Sequence, residues 1–160
     1  MRKTAPDHAV HIDSPVGRLT LASRGGKITH LLFGEHFAET DADEVIREAM
    51  LQLQEYFSGK RESITLPLAP EGTDFQQAVW RALLVIPYGE TASYGDIARA
   101  IERPKACRAV GQANHVNPIS IIIPCHRVVG AKGDLTGYGG GMAVKTWLLA
   151  LEKRKSMDKC

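Results

Sequence analysis

Ser93-Tyr94-Gly95-Asp96-Ile97-Ala98-Arg99-Ala100-Ile101-Glu102-Arg103-Pro104-Lys105-Ala106-Cys107-Arg108-Ala109-Val110-Gly111-Gln112-Ala113 reads as two short helices with a tight break between them. Ser93 is placed to cap the first, since a hydroxyl accepts from an amide two or three residues on. Tyr94, Ile97, Ala98 and Ile101 then share one face. Arg103-Pro104 interrupts the pattern, and Pro104 suits the first turn of the second helix, where its missing N–H does no harm. Ala106, Ala109, Val110 and Ala113 give that helix a small, flat side, and Lys105 and Arg108 lie on its outer side. Such a pair describes a helix-turn-helix.

Downstream, Asn117-Pro118 stops the helix, and Ile119 to Ile123 is an apolar run that reads as a buried strand ending at Pro124. Gly133, Gly137, Gly139, Gly140 and Gly141 surround Tyr138 in a loop, and a last helix spans about 142–153. Upstream, Thr73-Asp74-Phe75-Gln76 is a capping box that opens a helix with Phe75, Val79, Ala82, Leu83 and Val85 as its stripe. Pro87-Tyr88-Gly89-Glu90 is a turn. Residues 9–12, 19–22 and 28–33 alternate with turn chemistry as a small antiparallel meander. Val45, Ile46, Ala49, Leu53, Tyr56 and Phe57 predict one helix over a face of that sheet, and Ile64, Leu66 and Leu68 a short strand. Pro67, Pro70, Glu71 and Gly72 then break the pattern. The expected fold class is α+β: an N-terminal sheet-plus-helix domain over 1–68, a linker at 69–72, and a mostly helical, winged-helix-like domain over 73–160.

The chain has 160 residues, 44% hydrophobic and 24% charged, which suits about one ordinary domain or two small ones. No apolar run nears the roughly 18 residues of a membrane span. Met1-Arg2-Lys3 leads into Thr4, Pro6, Asp7 and His8 and is not a secretory signal, so the cytoplasm or nucleoid is the expected place. Net charge is only +2, but residues 1–70 carry 8 Lys/Arg against 10 Asp/Glu, and residues 71–160 carry 12 against 8. Arg99, Arg103, Lys105, Arg108, Arg127 and Lys132 face the single acid Glu102 within 99–132. That is either a solvated basic face or the footprint of a polyanion. Cys107, Cys125 and Cys160 are too few for a disulfide framework and form no C-x-x-C pair. His8, His11, His30 and His36 have no cysteine partners or ligand spacing and read as surface residues, so no metal is expected.

Pro124-Cys125-His126-Arg127 joins a thiol to an imidazole and a guanidinium. Cys125 is either a small core filler or a nucleophile. A free thiol of pKa about 8.5 is only a few per cent ionised at neutral pH, so a nucleophile needs a cation or a base nearby. On a regular strand neighbouring side chains oppose each other, so Cys125 and His126 would require Pro124 to break the ladder, or a bridging water. A basic imidazole also needs an acceptor on its other nitrogen, and Glu152 is one acid that could fold back.

With these residues in hand, the chain resembles the O6-alkylguanine-DNA alkyltransferases, also called methylated-DNA–protein-cysteine methyltransferases. The resemblance runs from about Phe75 to Glu152: Phe75-Gln76, Val79-Trp80, Ile86-Pro87-Tyr88-Gly89-Glu90, Ala109-Val110-Gly111, Asn117-Pro118, Pro124-Cys125-His126-Arg127-Val128 and Gly137-Tyr138-Gly139-Gly140. Residues 9–68 fit more loosely. The resemblance implies irreversible transfer of an alkyl group from O6 of guanine (or O4 of thymine, less favoured) in duplex DNA to Cys125, each chain acting once. His126 would deprotonate Cys125 through a water, oriented by Glu152. Asn117 would hold the loop, and Tyr94 would donate to guanine N3. The carbonyls of Cys125 and Val128 would accept from the exocyclic amine, Tyr138 and Gly139 would line the pocket, and the Gly139 amide would donate to O6. Arg108 would fill the space left by the rotated nucleotide, with Ala106, Ala109, Gly111 and Ala113 against the minor groove. No cofactor is implied, and the partner is double-stranded DNA bound by a monomer, with cooperativity left open. Many members carry Ser where this chain has Gly139, and Ser120 and Cys107 also depart from the usual pattern. Two rivals remain: a non-catalytic damage sensor, a group that carries Trp at the thiol position, and a Cys-His hydrolase.

Overall fold

Glycines at the tip of a tight hairpin and apolar residues alternating on either side of it set the first unit. A computed structural model describes residues 5–133, 138 and 140–157, the last three in backbone only. The chain divides into two compact units between Glu71 and Gly72. In the first, β1 (His8–Ile12), β2 (Leu19–Arg24) and β3 (Lys27–Phe33) form an antiparallel sheet in that order. Gly25 and Gly26 both have positive φ (58° and 76°), as a two-residue hairpin turn between twisted strands requires. Helix α1 (Glu44–Phe57) starts at Asp43, whose carboxylate accepts from the Ile46 amide and from the Ser23 hydroxyl. It buries Ile46, Ala49, Leu53 and Tyr56. Its end is a Schellman closure, Lys60 N–H to Glu55 C=O and Gly59 N–H to Tyr56 C=O, with Gly59 at φ 79°.

Residues 64–68 do not form the expected strand. Only Leu68 bridges Ile28, in parallel. Pro67 has no amide to give a ladder, and both backbone groups of Thr65 go to the Gln52 side chain of α1. His11 also departs from a plain surface role: its ring faces the carbonyls of His36 and Phe37 on one side and Glu35 on the other.

In the second unit, α2 (Asp74–Leu84) and α3 (Tyr94–Ala100) open with the capping boxes Thr73/Gln76 and Ser93/Asp96. A two-residue strand β4 (Ala92–Ser93) pairs in parallel with β5 (Val128–Val129). Helix α4 (Cys107–His115) completes the helix-turn-helix, and α5 (Met142–Met157) closes the unit. Trp80 is buried and its indole donates to the Ala113 carbonyl at 2.9 Å, while Trp147 is half-buried.

Pro104 does not sit in the first turn of α4. A Schellman closure ends α3, Arg103 N–H to Ala98 C=O and Glu102 N–H to Arg99 C=O, with Glu102 at φ 61°. The Ala106 amide then bonds to the Arg103 carbonyl, so Pro104 occupies the second position of a β-turn, which its fixed φ suits as well as a helix start. Ala106 becomes the residue before α4. Among the described residues no helix is long and apolar enough to cross a membrane.

Candidate active site

Asn117 builds the platform for the thiol. Its side-chain oxygen accepts from the Ile119 amide (3.0 Å), and its NH2 donates to the Ile123 carbonyl (2.9 Å). The apolar run inside this clamp is a folded loop instead of a strand. Ile122 N–H bonds to the Ser120 carbonyl around Ile121 at φ 72°, a γ-turn of the rare positive-φ hand. For a β-branched residue that conformation stores roughly 1–3 kcal/mol. Cys125 N–H then bonds to the Ile123 carbonyl around Pro124 (φ −80°, ψ 64°), the common inverse γ-turn. The chain enters a single 3-10 turn, Cys125–Arg127. With three residues per turn, Cys125 and His126 no longer point to opposite faces as they would on a strand.

All three side chains of this turn are buried. His126 Nε2 lies 2.7 Å from Glu152 Oε2, and since a carboxylate only accepts, Nε2 carries the hydrogen. His126 Nδ1 has no hydrogen-bond partner among the described residues. Arg127 turns away from the thiol and forks onto Glu152, Nε to Oε1 at 2.8 Å and Nη2 to Oε2 at 3.0 Å, while Nη1 donates to the Ile86 carbonyl at 2.7 Å. Adjacency in sequence places this charge beside the thiol, but its hydrogen bonds go to Glu152 and Ile86 instead. Lys145 is fully buried and donates to the Val128 carbonyl at 2.7 Å.

Burial lowers His126 from the ordinary imidazole value, opposed by Glu152 and reinforced by the charges of Arg127 and Lys145. Burial alone would raise Glu152, but hydrogen bonds and charge from His126 and Arg127 outweigh it and bring the carboxyl to about 2. Burial pushes the Cys125 thiol up, partly offset by hydrogen bonding from Asn117, Tyr138 and Ser120. Lys145 is lowered by burial, with the nearby Cys125 acting against it. The resting state is therefore a neutral thiol near a neutral imidazole, the imidazole's second nitrogen held by an ionised carboxylate.

A separate concavity of about 620 Å³ lies along α4, lined by Tyr94, Arg108, Gly111, Gln112 and His115 among others, with exposed Cys107 at its edge. Cys125 does not line it. A Cβ on Gly111 would lie 3.8 Å from the Tyr94 ring, an ordinary contact, so Gly111 packs against Tyr94 with room for a methyl group. Tyr94 links the two regions, because it follows Ser93 directly and Ser93 pairs with Val129 beyond the thiol turn.

Of the expected surface alanines, Ala109 is exposed and Ala106 half-buried, but Ala113 is 2% exposed and holds Trp80. It belongs to the inner face of α4 with Val110 and Asn114 and cannot meet a groove. The Cys125 carbonyl already accepts from the Val128 amide and the Asn114 side chain, leaving no lone pair for a substrate. Val128 has given one lone pair to Lys145 and keeps the other. Tyr138 is buried, and Gly139 lies outside the described residues. Lys145 and the clamping role of Arg127 were missed. One signal existed: Lys145, Leu148 and Glu152 fall three and four residues apart, so the buried stripe of α5 carries two charges.

Residues 74–154 match the 6-O-methylguanine DNA methyltransferase DNA binding domain, and residues 10–70 match the ribonuclease-like domain of the same proteins. The chain is 54% identical over 149 residues to the methylated-DNA–protein-cysteine methyltransferase of Methanosarcina barkeri, covering 89% of this chain and 94% of that protein. It is 52% identical over 155 residues to the protein of that name from Mycobacterium tuberculosis, covering 93% and 94%. The crystal structure of Mycobacterium tuberculosis OGT in complex with DNA superimposes with a TM-score of 0.87 at 52% identity, covering 92% and 94% of the two chains.

Proposed function

The chain belongs to the methylated-DNA–protein-cysteine methyltransferases, and from that premise we propose how its residues divide the work. It is a DNA-repair transferase whose partner is DNA and whose reaction moves an alkyl group from DNA to a protein cysteine. Cys125 is the acceptor in our reading. Its S–H proton passes through a water to His126 Nδ1, sulfur attacks the alkyl carbon, and the C–O bond breaks with its electron pair going to guanine O6. Tyr94 donates a proton to N3 of the leaving purine, and Val128, not Cys125, offers its carbonyl to the exocyclic amine. Tyr138 lines the pocket. Alkyl–sulfur bonds of a thioether do not return the group to water, so each chain acts once.

The observation that carries this reading is the bare Nδ1 of His126, on a ring whose other nitrogen is fixed by Glu152 in the turn that holds the thiol. For DNA, Arg108 on exposed α4 replaces the rotated nucleotide, with Ala106, Ala109 and Gly111 at the minor groove and exposed Arg103 and Lys105 near the phosphates. The division of labour between 1–68 and 73–160, across a linker at 69–72, and work in the cytoplasm or nucleoid belong to the same proposal. Cys125 stands where damage sensors carry Trp, which favours transfer over sensing.

The test is stoichiometry with labelled O6-methylguanine duplex. One methyl moved per chain, none by Cys125→Ser despite retained duplex binding, supports the assignment. Many turnovers per thiol, or transfer by the serine variant, overturns it.

A further inference from the structure

Glu152 is asked to hold two donors at once, and the way it does so gives Arg127 a part in the reaction. Oε2 takes both His126 Nε2 (2.7 Å) and Arg127 Nη2 (3.0 Å), and Oε1 takes Arg127 Nε (2.8 Å) with a longer contact from the Gly89 amide (3.4 Å). The same guanidinium reaches the Ile86 carbonyl and lies 5.8 Å from the centroid of the Tyr88 ring. Helix α5, the turn after α2 and the 125–127 turn are thus joined by one planar fork, a geometry that a lysine ammonium cannot reproduce.

We propose that Arg127 is a positioning residue for transfer: by clamping Glu152 it keeps His126 in the neutral Nε2–H form, with Nδ1 bare to receive the thiol proton. This rests on the assignment of Cys125 and His126 above. The charged groups acting on His126 are Glu152 and Lys145 from α5 and Arg127 from its own turn. With Arg127 present, the carboxylate's charge is already matched, and a third cation on His126 would add to Arg127 and Lys145 with one anion among the three. With Arg127 removed, more of the carboxylate charge acts on His126, which then binds a proton at Nδ1 at higher pH and, once protonated, takes none from Cys125.

Arg127→Met and Arg127→Lys are compared with the unaltered chain. The readouts are the transfer rate on free O6-benzylguanine against pH, and the 15N shifts of His126. In the unaltered chain Nδ1 should show the signature of an unprotonated nitrogen at neutral pH. Arg127→Met should move the acid limb of the rate upward by about one pH unit or more, with roughly tenfold slower transfer below it. Arg127→Lys should keep the limb near its original pH while the plateau falls, since charge survives and the fork does not. An unmoved acid limb in Arg127→Met overturns the proposal. So does an Nδ1 that is protonated at neutral pH in the unaltered chain, a measurement that stands even if the methionine variant does not fold. No transfer by the unaltered chain would sink the assignment of Cys125 instead.

Discussion

Cys107 and Cys125 are the same group in two surroundings. Cys107 is exposed at the start of α4 beside Arg108, and Cys125 is 3% exposed beside His126 and Arg127. A rule that asks only for a thiol with a neighbouring cation selects both. The structure separates them by what the cation does. Arg127 is spent on Glu152, and what prepares Cys125 is a neutral imidazole with one bare nitrogen. The exposed region instead keeps its charges outward, where they suit a polyanion. In the proposed mechanism buried charge organises proton transfer, and surface charge organises binding.

The widest gap between the regions should appear in Cys125→Ser and Cys107→Ser, assayed on free O6-benzylguanine. The first should abolish transfer and the second leave it unchanged; loss in both would erase the distinction. Glu152→Gln comes next. It removes the orienting acceptor, so transfer should fall by about 10²-fold or more, and it leaves Arg127 buried without its anion, at about 3–5 kcal/mol of stability. The pH dependence has a definite sign. The Glu152 carboxyl is lowered from 4.5 to about 2, so its contribution is present above about pH 4.5 and lost as pH falls toward 2. Acid titration of stability should therefore be flatter across that window in Glu152→Gln than in the unaltered chain.

Arg108→Ala tests the exposed region. Flipping draws on a few kcal/mol, so transfer on duplex should fall roughly 10- to 100-fold with little change on the free base. Equal losses on both substrates would place Arg108 in the chemistry instead. Trp80→Phe should give the smallest effect. It deletes the indole bond to the Ala113 carbonyl on the inner face of α4, lowering stability by about 1 kcal/mol while leaving free-base transfer intact.

Much of this was legible in residues whose structure is decided locally. The capping box at Thr73 and the cap at Ser93 depend on bonds within a few residues, and each appears where expected. The role of Asn117 as a loop clamp came from the family resemblance, and its two backbone bonds agree with it. One misreading has a local cause, and the others have distant partners. Ile119 to Ile123 has the composition of a strand, yet the Asn117 clamp and two γ-turns fold it. Thr65 gives its backbone bonds to Gln52 on α1 instead of a neighbouring strand. Ala113, set against the groove by the resemblance, lies under Trp80 instead. The fork of Arg127 onto a carboxylate 25 residues away has no local sign at all.

The most direct test is peptide mass mapping after incubation with O6-methylguanine duplex. Trypsin should place Cys107, Cys125 and Cys160 on separate peptides. The account predicts a gain of one methylene, once per chain, on the peptide carrying Cys125 alone. The same gain on a Cys107 or Cys160 peptide, with the Cys125 peptide unaltered, would contradict it.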